Sequence, residues 1–98
     1  MSIDIHILKN GQAEKLLYSI NESSYSILEP IFEKYKNKTG LYIDPYGTLK
    51  LSSGLEILIS LISEKAEKNQ TELPEYKKIL SILNEAQSNN YGIIFVGE

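Results

Sequence analysis

Cysteine, arginine and tryptophan are missing from this sequence, and histidine occurs once. Without cysteine there is no disulfide and no thiolate metal site, and the reducing cytoplasm is the simplest home for such a chain. The ten basic residues are all lysines, and thirteen acids outnumber them to give a net charge of −3. The guanidinium group is the usual bidentate ligand of phosphates and guanine edges. Its absence, with the acidic balance, argues against a nucleic-acid partner, for which a basic face is expected. Long apolar runs are lacking too. The densest, Leu55 to Ile62, falls far short of the ~20 residues that span a bilayer, so no membrane partner is expected. The opening residues alternate isoleucine with Asp4 and His6, unlike the basic start and longer apolar run of a signal peptide.

A chain of 98 residues suits one domain, 1–98, with a real hydrophobic core. Ile3, Ile5 and Ile7 alternate with Asp4 and His6, the pattern of a half-buried strand. Asn10-Gly11 ends it. Ala13, Leu16, Leu17 and Ile20 recur at three- and four-residue steps and predict a short helix. Asn21 to Ser24 is a break rich in capping residues, and Tyr25, Leu28, Ile31, Phe32 and Tyr35 predict a second helix. Pro30 lies inside it and predicts a kink or a fresh start. Lys36, Lys38 and Gly40 suit its end.

Leu41-Tyr42-Ile43 and Thr48 to Leu51 flank Asp44-Pro45-Tyr46-Gly47. Aspartate, proline and glycine at the first, second and fourth places are the signature of a type I turn, and together they predict a β-hairpin, with Gly47 free to take a left-handed bulge position. Leu55, Ile57, Leu58, Ile59, Leu61 and Ile62 cover nearly the whole circumference of the next helix, capped by Ser52 or Ser53, which should therefore be central. A loop over Asn69 to Leu73 leads to a last helix started by Thr71 and Pro74, with Tyr76, Ile79, Leu80 and Leu83 inward. Ile93 to Val96 is apolar on both faces, as an interior strand beside the first would be. The expected fold is α+β, a four-stranded sheet packed against helices in the order β-α-α-β-β-α-α-β, with the helical hairpin of residues 53–88 on the sheet.

The inventory for chemistry is thin. Asp4 and His6 lie two apart on one strand and share a face. They can be read as an acid–base pair or as the polar side of a strand, and the second reading is favoured. No catalytic set emerges, no metal site, and no cofactor is expected; Gly92 and Gly97 lack the context of a phosphate loop. Glutamates sit beside lysines on the predicted helices, the look of a solvated surface. Tyrosine is the suggestive residue, with seven copies, because it joins a large apolar contact to a polar tip and is enriched at binding hot spots. Tyr18, Tyr25, Tyr35 and Tyr76 fall near apolar stripes. Tyr42 and Tyr46 lie in the hairpin with Asp44 between them, so Tyr42, Asp44 and Tyr46 are the candidate partner-binding residues. The alternative is that these tyrosines fold back onto neighbouring helices.

The run Gly40 to Ser52, with Asp-Pro-Tyr-Gly at its centre and Leu-Ser before the next helix, and the ending Gly92-Ile93-Ile94-Phe95-Val96-Gly97-Glu98, resemble small bacterial proteins similar to the immunity proteins of polymorphic and contact-dependent toxin systems. The resemblance implies a rigid scaffold without chemistry of its own that neutralises a cognate toxin by covering its active site. The expectation is therefore a cytoplasmic protein-binding domain. The rivals are a self-associating module, dimerising through the Tyr42/Tyr46 hairpin or a sheet edge, and a small enzyme built on Asp4 and His6.

Overall fold

The structure, a computed structural model, describes residues 2–69 and 74–98. The described elements are β1 (Ile3–Lys9), β2 (Gln12–Ile20), α1 (Glu22–Thr39), β3 (Thr48–Leu51), α2 (Leu55–Asn69), α3 (Pro74–Ser88) and β4 (Gly92–Gly97). The four strands form one antiparallel sheet in the order β2-β1-β4-β3. The α+β class and the four-stranded sheet are as expected, and the apolar strand β4 lies inside beside β1. The element order differs in two places.

The segment expected as the first helix is the strand β2. Asn10 and Gly11 both have positive φ, 54° and 76°, as the two central residues of a tight hairpin turn require. β2 returns antiparallel to β1, with register shifts between Ile5 and His6 and between His6 and Leu8. Such irregularities set two residues of one strand against one of its neighbour and break the alternation of faces. Leu17 and the adjacent Tyr18 both pack against the core, while Leu16 remains exposed. The three- and four-residue spacing of β2's apolar residues thus arises from bulges, not from a helix.

The second difference is the hairpin. Leu41 to Ile43 forms no strand, and Thr48–Leu51 pairs with β4 instead. Ile43 is fully buried, so its side chain packs into the core without a ladder. The Asp44–Gly47 turn exists, closed by the Gly47 N–H donating to the Asp44 carbonyl at 3.2 Å. Gly47 does not take the expected left-handed conformation.

The register sorts the sheet into two faces. Tyr18, Ile5, Phe95 and Leu49 form one cross-strand row on the inner face, and Leu16, His6, Ile94 and Lys50 form one on the outer. The inner residues join the buried residues of all three helices in one core. α2 lies between α1 and α3, as its all-round apolar pattern requires. α1 passes Pro30 without interruption, beginning at Asn21, whose side chain accepts the Ser24 N–H, and ending at Gly40. Pro30 is exposed, so the helix loses one backbone bond on its wet side and no core contact. Gly54, not Ser52 or Ser53, stands immediately before α2. α3 starts at Pro74. Thr71 and the expected loop beyond Asn69 lie outside the described residues.

Burial raises the pKa of Tyr25, Tyr35 and Tyr91 above the ordinary tyrosine range, with the Tyr42 hydroxyl adding to the effect at Tyr25, Glu56 at Tyr35 and Glu85 at Tyr91. These phenols ionise later in the folded protein than in the unfolded chain. Their contribution to stability is therefore whole below the unfolded value of about 10 and is lost as pH rises through the folded values. Phenolate absorbance during alkaline titration should show these three ionising late, together with loss of near-ultraviolet circular dichroism. Ionisation of Tyr25, Tyr35 and Tyr91 in the ordinary tyrosine range in the folded protein would contradict the assignment.

Candidate functional site

The segment from Leu41 to Gly47 runs between the end of α1 and β3, and holds two of the three large apolar side chains that stand exposed among the described residues. Leu41 is 39% exposed and Tyr46 76%; the third, Leu16, is on β2. The backbone around Tyr46 is fastened at several points. The Asp44 carboxylate accepts the Tyr46 N–H at 2.8 Å, an Asx turn that aspartate favours. Pro45 fixes its own φ and is buried. The Gly97 N–H donates to the Gly47 carbonyl at 2.7 Å. The carbonyl group of Pro45 lies against the Cα of Gly97 so closely that no side chain could stand there. The turn and the end of β4, distant in sequence, are therefore one packed unit.

Tyr42 is placed differently. Its side chain is half-buried and turns back to α1, where its hydroxyl meets that of Tyr25 at 3.2 Å. The Lys36 ammonium lies 4.9 Å from the centre of its ring, a cation–π contact. Of the three candidate residues, Tyr42 and Asp44 have roles inside the molecule, and Tyr46 alone points outward with its ring mostly free. Leu41 was not signalled by the sequence, since an apolar residue just past a helix end is as often a capping contact as a surface.

The remaining tyrosines behave as core or rim. Tyr25, Tyr35 and Tyr76 are buried, and Tyr18 is half-buried with the Lys78 ammonium 5.5 Å from its ring centre.

Asp4 and His6 do share the outer sheet face, but each is engaged by β2. Asp4 accepts the Ser19 hydroxyl at 2.7 Å. His6 Nδ1 lies 3.1 Å from the Glu14 carbonyl oxygen, so this nitrogen carries the proton and donates. Neither side chain is bonded to the other. Among the described residues no group of three His, Asp or Glu side chains is placed to hold a metal ion, and no helix is long and apolar enough to cross a membrane.

What this arrangement offers is a rigid aromatic projection with an apolar neighbour. Comparison with protein-family models, curated proteins and solved structures gives no match to this chain.

Proposed function

We propose that this protein is a cytoplasmic protein-binding domain that docks through the Leu41–Gly47 segment, with Tyr46 as the anchor. The observation that carries the reading is a tyrosine 76% exposed on a turn whose backbone is otherwise pinned. A tyrosine ring offers a large contact area for few torsions, and a backbone already held in place loses little entropy on binding. Water-exposed aromatics on fixed supports make the anchors that dominate interface energetics. In its finer form the proposal is an immunity protein, which neutralises a cognate bacterial toxin by covering its active site; the resemblance carried by the Asp44–Gly47 turn and the Phe95-to-Glu98 ending supports that form. The two stretches that carry the resemblance meet in space, where Pro45 packs on Gly97.

The test is affinity capture from the native host with the tagged protein, followed by calorimetry on the purified partner. Tyr46→Ala should weaken binding by about 2 kcal/mol, roughly thirtyfold, and leave the melting temperature unchanged, because the ring contributes little to the core. Equal affinity of the variant would remove the surface from this loop. Failure to capture any partner would favour self-association. A specific observation supports that second reading: Leu16, 50% exposed, lies on the edge strand β2, and open sheet edges pair readily. Light scattering over a concentration series then decides between them.

A further inference from the structure

The lysines of this acidic chain are not evenly spread. On α1, Lys34 and Lys38 follow Pro30 at four-residue steps, on the side of the helix next to Ile31. On α2, Leu61, Glu64, Lys65 and Lys68 share one side at three- and four-residue steps. The two helices pack together, and between them lies a small pocket of about 100 Å³ lined by Pro30, Ile31, Lys34, Leu61, Glu64, Lys65 and Lys68. Its lining holds three of the ten lysines and one of the thirteen acids, and Lys38, one turn beyond Lys34 on α1, brings a fourth ammonium group whose charge reaches Glu64. That is a local charge of +3 in a chain of net −3.

The lysines are only partly answered from within. Lys68 donates to Glu64 at 3.2 Å, an exposed pair whose worth is small in water. The Glu64 carboxyl is held below its ordinary range, first by that hydrogen bond and charge, then by the more distant charges of Lys34 and Lys38. Glu64 is thus paired with Lys68 alone, and the charges of Lys34 and Lys38 reach it only from a distance. Among the described residues Lys34, Lys38 and Lys65 make no ion pair within 4 Å. The floor is apolar, formed by the Pro30 ring with Ile31 and Leu61, and the proline cannot cover it with a flexible side chain.

We propose that the α1–α2 groove is a second interaction surface, which takes an acidic segment of a polypeptide with an aliphatic side chain on the Pro30–Ile31–Leu61 floor and carboxylates on Lys34, Lys38 and Lys65. Charge complementarity selects an acidic occupant. The apolar floor and the Glu64 carboxylate within the groove disfavour a dense polyanion such as a nucleic acid, which the acidic remainder of the chain also repels. Lysine, a point charge on a flexible stem, suits carboxylates presented from an extended segment without demanding bidentate geometry. This surface shares no residue with the Leu41–Gly47 segment, and neither reading depends on the other.

The test uses amide chemical-shift titration of the whole protein with a dodecapeptide of eight glutamates and four leucines, with tripolyphosphate and a dodecamer of thymidylate in parallel. Saturable shifts should centre on Ile31, Lys34, Leu61 and Lys65, with affinity falling as salt rises. Lys34→Glu/Lys65→Glu should weaken peptide binding at least tenfold, while Lys50→Glu, on the outer sheet face, should change it less than twofold. If the double reversal does not fold, Lys34→Gln/Lys65→Gln replaces it, with an expected loss of at least fourfold. Shifts absent from the groove, an unchanged affinity in the folded double variant, or tighter binding of either polyanion at the groove would each overturn the proposal.

Discussion

Phe32→Ala is expected to lower the unfolding free energy by about 4 kcal/mol, the middle of the range for truncating a buried aromatic. Phe32 is fully buried on the inward face of α1, and its ring meets that of Tyr25 at a centroid distance of 6.1 Å and an angle of 49°. Truncation removes the transfer free energy of the ring and leaves a cavity that α1 cannot close. The helix is held on its core side by Leu28, Ile31 and Tyr35, all buried with it, so it cannot settle inward at one point without lifting at others. Tilted aromatic pairs add a further contribution of about 0.5–1.5 kcal/mol, which is lost as well. Domains of this size have a total stability of roughly 5–15 kcal/mol, so the variant should sit near the edge of folding. Urea unfolding followed by far-ultraviolet circular dichroism gives the midpoint and slope. A lower midpoint at constant slope is the expected result. A loss under about 1.5 kcal/mol, the range of a well-tolerated core swap, would mean that the core around α1 relaxes to fill the site. Phe32→Leu, which keeps most of the volume, should cost well under half as much.

Gly97→Ala should cost about 3 kcal/mol, at the upper end of what one added methyl group causes by overpacking. At most surface glycines an added Cβ is accommodated by a side chain moving aside. At Gly97 the neighbours are backbone: the carbonyl group of Pro45 and the carbonyl oxygen of Asp44. The conflict is relieved only by pushing the whole turn off β4. That breaks the bond from the Gly97 N–H to the Gly47 carbonyl and uncovers the buried Pro45 ring. A 98-residue domain loses about 4–8 °C of melting temperature per kcal/mol, so a fall of roughly 12–24 °C is expected. The amide shifts of Asp44 to Thr48 should move the most. If the Tyr46 turn is the docking surface, this variant loses stability and partner affinity together, whereas Tyr46→Ala loses affinity alone. An unchanged melting temperature in Gly97→Ala would mean that the turn is not anchored on β4.

These two substitutions also mark how far local sequence reaches. Phe32 lies in a clear 3.6-residue stripe with Tyr25, Leu28, Ile31 and Tyr35, and each of those residues is buried. A helix face is specified by neighbours three and four residues apart, so local sequence carries it. Pro30 interrupts the stripe only on its exposed side, which is why α1 continues where a kink or fresh start is expected. The contact of Gly97 with Pro45 is not legible in this way, because it joins residues half a chain apart. The Asp44–Gly47 turn is legible from proline and glycine, and so is an aromatic at its tip. That Tyr46 stays outward while Tyr42 folds onto Tyr25 depends on where α1 ends relative to β3.

The two elements that differ from expectation have related causes. For β2, Asn10-Gly11 is a strong hairpin signal in its own right. The spacing of Ala13, Leu16, Leu17 and Ile20 points the other way, and that spacing reflects register shifts against β1. For Leu41 to Ile43, strand-forming residues are present, but β4 offers one free edge, and Thr48–Leu51 takes it.

Near-neighbour preferences along the chain are thus enough to specify the α+β class, the amphipathic faces of α1 and α3, the all-round apolar helix that becomes central, the apolar interior strand and the Asp-Pro-Tyr-Gly turn. Only the assembled fold settles which strands pair, where β2 slips in register, and that the turn rests on Gly97. It also brings lysines from two helices together around one pocket. Helix faces and turns follow from steric preferences and periodicity within a few residues, whereas strand partners, register and surface clusters are settled by competition among distant segments for the same edges and the same core.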